Sequence, residues 1–289
     1  MGASLDTIDH AVVAVRDLDG ASETYARLLG RRPSWRGIHP GAGTANVLFR
    51  LDNTYLELLS PVGSGWLADA IAARLAEYGE GPMAIAFGSA DATASARGLR
   101  AAGLSAGDPV DGEGQDLQSG RRRQWKLCML VAAETRGLSL LVVQHLSAPE
   151  LLPFAEPSAE PASIVGGVDH FVVMTADPDA SRRLYGDQLG LRLALDRTFT
   201  ERGMRLLFFR LGGITLECAA PLSVQGDGSA PDRFWGISYR VADVGRARER
   251  VAAAGFDVSE VRTGQRPGTR VCTVRRETHG VATLLIGPD

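Results

Sequence analysis

Apolar residues along this chain fall in short blocks, and the blocks recur in a fixed order with an amphipathic stretch after the first of each set. Ala11 to Val15 alternates and packs like a strand, Asp17-Leu18-Asp19 supplies a turn and a helix start, and Ala21 to Leu29 carries a helical stripe that Gly30 ends. Val47 to Arg50 and Tyr55 to Leu59 follow as strands, with Asp52-Asn53 turning the chain between them. The same order returns from residue 168: Asp177-Pro178-Asp179, a helix over Ala180 to Leu189, Gly190, then strands over Arg205 to Leu211 and Ile214 to Cys218. Weaker copies begin at Met83-Ala84-Ile85-Ala86-Phe87 and at Gly236-Ile237-Ser238-Tyr239, with helices ending near Gly103 and at Gly255. The prediction is an α+β chain of four βαβββ units arranged as two pairs.

The stretch from Ser147 to Ser163 is rich in Pro, Ala and Glu and reads as the connection between the pairs. The expected division is therefore residues 1–146 (units at about 7–61 and 82–146), a linker at 147–163, and residues 164–289 (units at about 166–221 and 234–287). A chain of 289 residues agrees with two domains.

Composition changes the picture mainly by exclusion. A net charge of −3 gives no electrostatic reason to expect nucleic acid or an anionic membrane. Arg121-Arg122-Arg123 reads as a solvated hairpin, with an anionic ligand as the alternative. Three scattered cysteines, without a CxxC pair, argue against a disulfide framework or a thiolate zinc site and suit a reducing compartment. No basic-then-apolar leader opens the chain and no apolar run is long enough to span a bilayer, so a cytoplasmic location is expected.

Two strands of each pair carry residues that a sheet interior does not need. Ile8-Asp9-His10-Ala11-Val12-Val13 returns 160 residues later as Val168-Asp169-His170-Phe171-Val172-Val173. Tyr55-Leu56-Glu57 returns as Thr215-Leu216-Glu217, so a His and a Glu stand 47 positions apart in each half. Burying either without a partner is costly, and both are metal ligands. On period 2, His10, Val12 and Ala14 share one face, as do Tyr55, Glu57 and Leu59. Asp9 and Asp169 then fall on the opposite face and read as turn or solvent groups.

These motifs, with His39-Pro40-Gly41-Ala42-Gly43-Thr44-Ala45-Asn46 and Val143-Gln144-His145-Leu146, resemble the vicinal oxygen chelate superfamily, in its glyoxalase-like subgroup. That superfamily includes glyoxalase I, extradiol dioxygenases and bleomycin-binding proteins. The resemblance implies paired units forming two cupped mixed sheets, with ligands projecting from the concave face. It also implies one divalent metal (Fe, Mn, Ni or Zn), whose third ligand is missing here. The matching positions in the partner units are Ala84 and Gly236, and around Leu141 and Leu284.

Three arrangements stay open. His10, Glu57, His170 and Glu217 could form one shared metal site. His39 could complete a triad with His10 and Glu57. Or no metal binds, and each His–Glu pair is a hydrogen-bonded or acid–base pair. Glu57 and His10 are the candidate catalytic residues, and His39, Asn46, Tyr55 and Trp125 the candidate substrate contacts. His39 and Asn46 are expected on a Gly-rich hairpin or lid over the first cup; His145 and His279 receive no role. The functional expectation is a glyoxalase- or dioxygenase-like enzyme (a lyase, an isomerase or a dioxygenase) acting on an oxygenated or aromatic small molecule. A metal-free protein that sequesters such a molecule is the alternative, with Trp35, Trp66, Trp125 and Trp235 available for stacking. A monomer and a homodimer both fit.

Overall fold

The computed structural model describes residues 5–223 and 229–289. The first four residues, part of the N-terminus read above for a leader, lie outside it.

The first unit comprises β1 (Thr7–Ala14), α1 (Leu18–Leu29), β2 (Trp35–His39), β3 (Thr44–Arg50) and β4 (Tyr55–Pro61). A helix that the hydrophobic pattern did not single out, α2 (Trp66–Tyr78), leads to the second unit. That unit holds β5 (Gly81–Gly88), α3 (Ala92–Ala101), β6 (Val110–Asp116), β7 (Arg122–Met129) and β8 (Ser139–His145). The third has β9 (Val165–Met174), α4 (Pro178–Arg182) prolonged by a π-helical turn over Arg183–Gln188, β10 (Arg192–Phe199), β11 (Met204–Leu211) and β12 (Ile214–Pro221). The fourth has β13 (Arg233–Val241), α5 (Val244–Ala253), β14 (Arg262–Thr263), β15 (Thr269–Val274) and β16 (Ala282–Pro288).

An Asp starts the helix of every unit. The side chains of Asp17, Asp91, Asp177 and Asp243 each accept a hydrogen bond from a first-turn backbone N–H. This satisfies donors that the helix itself leaves unpaired. At the other end of α1, Gly30 takes φ +67°, a left-handed conformation that costs glycine little.

Units pair in chain order. In the first sheet β1 runs parallel to β4 and antiparallel to β5, giving the closed order β1-β4-β3-β2-β6-β7-β8-β5. Closure depends on β2 meeting β6 at Gly37, where a Cβ would lie 2.5 Å from the Gln115 carbonyl oxygen. The second sheet repeats the order as β10-β11-β12-β9-β13-β16-β15-β14 but stays open, because its edge strands do not pair. The first and third units thus lie in different sheets, and His10 and Glu57 are not brought to His170 and Glu217 in one site.

The outer faces of both sheets, with the helices, form a single apolar core. It includes Val13, Tyr25, Leu28, Phe49 and Phe87 from the first half, and Phe171, Tyr185, Phe209, Tyr239 and Leu285 from the second. Each fully buried side chain of this size contributes about 1.5–3 kcal/mol. Asn53 joins the halves as a strand residue would: its amide donates to the Val168 carbonyl (2.8 Å) and accepts from the Val168 N–H (3.0 Å). All three cysteines are free and buried. Among the described residues no helix is long and apolar enough to cross a membrane.

Candidate active site

The inner face of the first barrel encloses a cavity of about 510 Å³. α2 closes one side of it, packing Ile71 and Leu75 on Val12, Leu59 and Ala84. Its signal in the sequence was Leu67, Ile71 and Leu75 at helical spacing, just before the second unit.

Strand register places the polar residues within this apolar cup. β1 and β4 pair His10 with Tyr55 and Val12 with Glu57, so the His10 and Tyr55 rings stack, 4.4 Å between centroids and 16° between planes. Glu57 lies diagonally across from both His10 and Asn46. Its carboxylate accepts a 2.7 Å hydrogen bond from the Asn46 amide and lies 3.5 Å from His10 Nε2 and 3.8 Å from His39 Nε2. Asn46 Nδ2 also reaches His39 Nε2 at 3.2 Å, and His39 Nδ1 donates to Thr44 Oγ1 at 2.9 Å. His39 and Asn46 therefore act from the paired strands β2 and β3, while the Gly-rich segment only turns between them. Burial pushes the His39 imidazole below its ordinary range, partly offset by Glu57, so His39 stays neutral and accepts at Nε2.

Asp9 does not turn to solvent. β1 bulges there, stepping from Ile8 opposite Phe87 to His10 opposite Ala86, and the same irregularity recurs at Asp169 between Val168 and His170. A bulge breaks strict alternation and re-aims side chains. Asp9 Oδ2 consequently accepts from His10 Nδ1 at 2.7 Å, and its other oxygen accepts from His145 Nε2 at 2.9 Å. Burial alone would raise the Asp9 pKa, but the hydrogen bonds from His10 and His145 outweigh it and hold the carboxyl well below the usual range. His145, given no role from sequence, is thus the second support of this carboxylate. The ionised Asp9 fixes the proton on His10 Nδ1 and leaves Nε2 to face Glu57. Tyr55 is pushed well up by burial and by Asp9, and remains a phenol.

Trp125 forms one wall, edge-on to His39 with 5.7 Å between ring centroids. Its indole lies over Gly112 and Gly114 of β6, where any Cβ would collide with it or crowd it. Trp66 lines the mouth, Trp35 is buried at the barrel flank beside Leu48, and Trp235 is exposed on the second sheet. In the arginine run, Arg121 and Arg122 are exposed as a solvated hairpin would be, but Arg123 is 7% exposed and borders the cavity. Period 2 on β7 would have found it, because it shares a face with Trp125.

The second half repeats the pair with a different ending. His170 Nδ1 donates to Asp169 at 3.0 Å, and His170 Nε2 is 3.7 Å from Glu217. Here, however, Ser238 donates to Nε2 at 2.7 Å, where the first cup has Ala86. Burial raises the Glu217 pKa, with partial relief from His170.

A divalent ion between His10, His39 and Glu57 would need lone pairs pointing at a common centre. Instead the Asn46 amide nitrogen, a hydrogen-bond donor, bridges Glu57 and His39. Among the described residues no group of three or more His, Cys, Asp or Glu side chains is set to hold a metal ion. The arrangement present does not fit one.

Comparison with known proteins agrees with the fold. The family model for a glyoxalase-like domain matches residues 8–162, and that of the glyoxalase/bleomycin resistance protein/dioxygenase superfamily matches residues 169–273. No curated protein matches the sequence. A mutant 4-hydroxymandelate synthase from Streptomyces coelicolor superposes with a TM-score of 0.72 at 14% identity, covering 99% of this chain and 93% of that one. A hypothetical protein from Staphylococcus aureus does so with a TM-score of 0.64 at 12% identity, covering 96% and 97%. With more than half of its length matched by one family model and most of the rest by a related one, the chain belongs to the glyoxalase-like domain family of the vicinal oxygen chelate superfamily.

Proposed function

We propose that the first cup is the active site of an enzyme acting on an oxygenated or aromatic small molecule by proton transfer. The observation that carries this reading is the Glu57 carboxylate, held in the cavity by Asn46 and faced by two imidazoles. Glu57 acts as general base, taking a proton from carbon next to a substrate carbonyl. His10 Nε2, oriented through Asp9, exchanges that proton with Glu57 or returns it to the substrate. Asn46 Oδ1 is buried without a hydrogen-bond partner among the described residues, and solvent does not reach it. Isomerisation and lyase chemistry need no more than this. A metal-assisted reaction, dioxygenation included, would require Asn46 to withdraw from Glu57 and His39, and no step here is routed through an ion.

A second reading, sequestration without turnover, draws on the mostly apolar lining, such as Val12, Leu48, Leu59, Ile71 and Leu141. One experiment separates the two. In D2O, proton NMR follows exchange of the α-hydrogen in a panel of dicarbonyl and α-hydroxyketone compounds. Exchange that disappears in Glu57→Gln supports the enzyme. Stoichiometric binding with no exchange for any tightly bound compound supports sequestration and sinks the proton-transfer reading.

A further inference from the structure

Arg123 is a buried cation without a counter-ion. It is 7% exposed, yet among the described residues no carboxylate lies within ion-pair distance of it and no acceptor takes a hydrogen bond from it. Its guanidinium instead lies against two aromatic faces, 5.5 Å from the Trp35 ring centroid and 5.9 Å from that of Tyr55. The other buried arginine of this half, Arg31, is treated differently, donating to the carbonyls of Val165 and Ala155. The nearby acids do not serve Arg123 either. Glu113 pairs with Arg122 at 3.0 Å and Asp111 with Lys126 at 2.7 Å, both on the rim.

A guanidinium cannot lose its proton, and with no protein partner among the described residues the nitrogens of this one rely on the little solvent that still reaches them. The planar fork suits a carboxylate, which it binds through two parallel N–H···O bonds. We propose that Arg123 is the anion subsite of the first cup, and that the substrate carries a carboxylate. This rests on reading that cup as the substrate site. The Tyr55 ring separates the subsite from His10: one of its neighbours is the Arg123 guanidinium, another the stacked His10 imidazole. A carboxylate on Arg123 therefore leaves the body of the ligand against Trp125 and its reacting carbon toward Glu57. Arg123 also borders a second cleft, lined by Arg50 and His145 as well as by Asp9 and Asp52, and the Ala84→Leu variant below separates the two.

The test uses benzoate and its neutral isostere benzamide as probes, with binding read by calorimetry on the full chain. Wild type should bind benzoate about tenfold or more tightly than benzamide, the value of one charge-assisted pair. In Arg123→Met the preference should vanish, and in Arg123→Lys it should weaken, because the fork is lost. Equal binding of the two probes to wild type, or a preference for benzoate that persists in Arg123→Met, overturns the subsite. Ala84→Leu, which fills the cup, tests the underlying reading separately: benzoate binding that survives it with its preference intact places the anion outside the first cup.

Discussion

Asp9 Oδ2 lies 2.7 Å from Nδ1 of His10, its neighbour in the chain. On a regular strand these side chains would point to opposite faces of the sheet. The bulge at Asp9 brings them together and turns a strand histidine into one with a fixed tautomer, its free nitrogen aimed at Glu57.

Asp9→Asn tests that support through pH. The folded-state pKa of Asp9 is lowered, so its stabilisation is complete above the unfolded value of about 3.9 and is lost as pH falls toward the folded value. Thermal melts should show wild type more stable than Asp9→Asn by about 1–3 kcal/mol between pH 5 and 7, with the gap closing below about pH 4. A constant gap down to pH 2 would remove the ionised Asp9 from the account.

His39 has the opposite chemistry and the same slope. Its folded pKa is lowered by burial, so below about 6.5 the unfolded chain binds the proton more readily and stability declines as pH falls. An imidazole NMR titration should place the His39 midpoint under 6.5, and His39→Asn should flatten the stability profile between pH 6.5 and 5. A midpoint above 6.5 would contradict a neutral His39.

The halves should differ in function. Glu57→Gln is expected to cut turnover by about 10²–10⁴-fold, the usual range for a general base. Glu217→Gln should leave turnover near wild type, because Ser238 already occupies His170 Nε2 and the second sheet is open. Parallel rate measurements on the two variants decide this, and equal losses would refute the asymmetry.

Gly112→Ala should displace Trp125, whose indole nitrogen sits where the new Cβ would go. The expected cost is about 1–3 kcal/mol, with a shift in tryptophan emission as the ring moves into the cup. Denaturant melts and fluorescence spectra check both together, and an unchanged spectrum would mean that the strand moves instead.

Asn46 should control metal affinity. Asn46→Asp replaces the bridging amide donor with lone pairs beside Glu57 and His39. Mass-spectrometric metal analysis after incubation with Fe, Mn, Ni and Zn should find more bound ion in Asn46→Asp than in wild type. A stoichiometric ion in wild type that Asn46→Asp does not improve would show that Asn46 is no obstacle.

Local signals were enough for much of the architecture. The recurrence of apolar blocks, the four capping Asp residues and the glycines after the helices give four βαβββ units, because each rests on contacts within a few residues. The inward faces of β1 and β4 follow from period 2 in the same way. What the tertiary structure decided depends on residues far apart in the chain. The closure of one sheet and not the other turns on whether β2 reaches β6, which no single strand encodes. Asp9 escaped its expected role because a bulge depends on the register with β5, and Arg123 because a charge run reads as solvated until the sheet closes around it. The bridge that Asn46 makes between Glu57 and His39 escaped for the same reason: three strands must align before one amide can touch both.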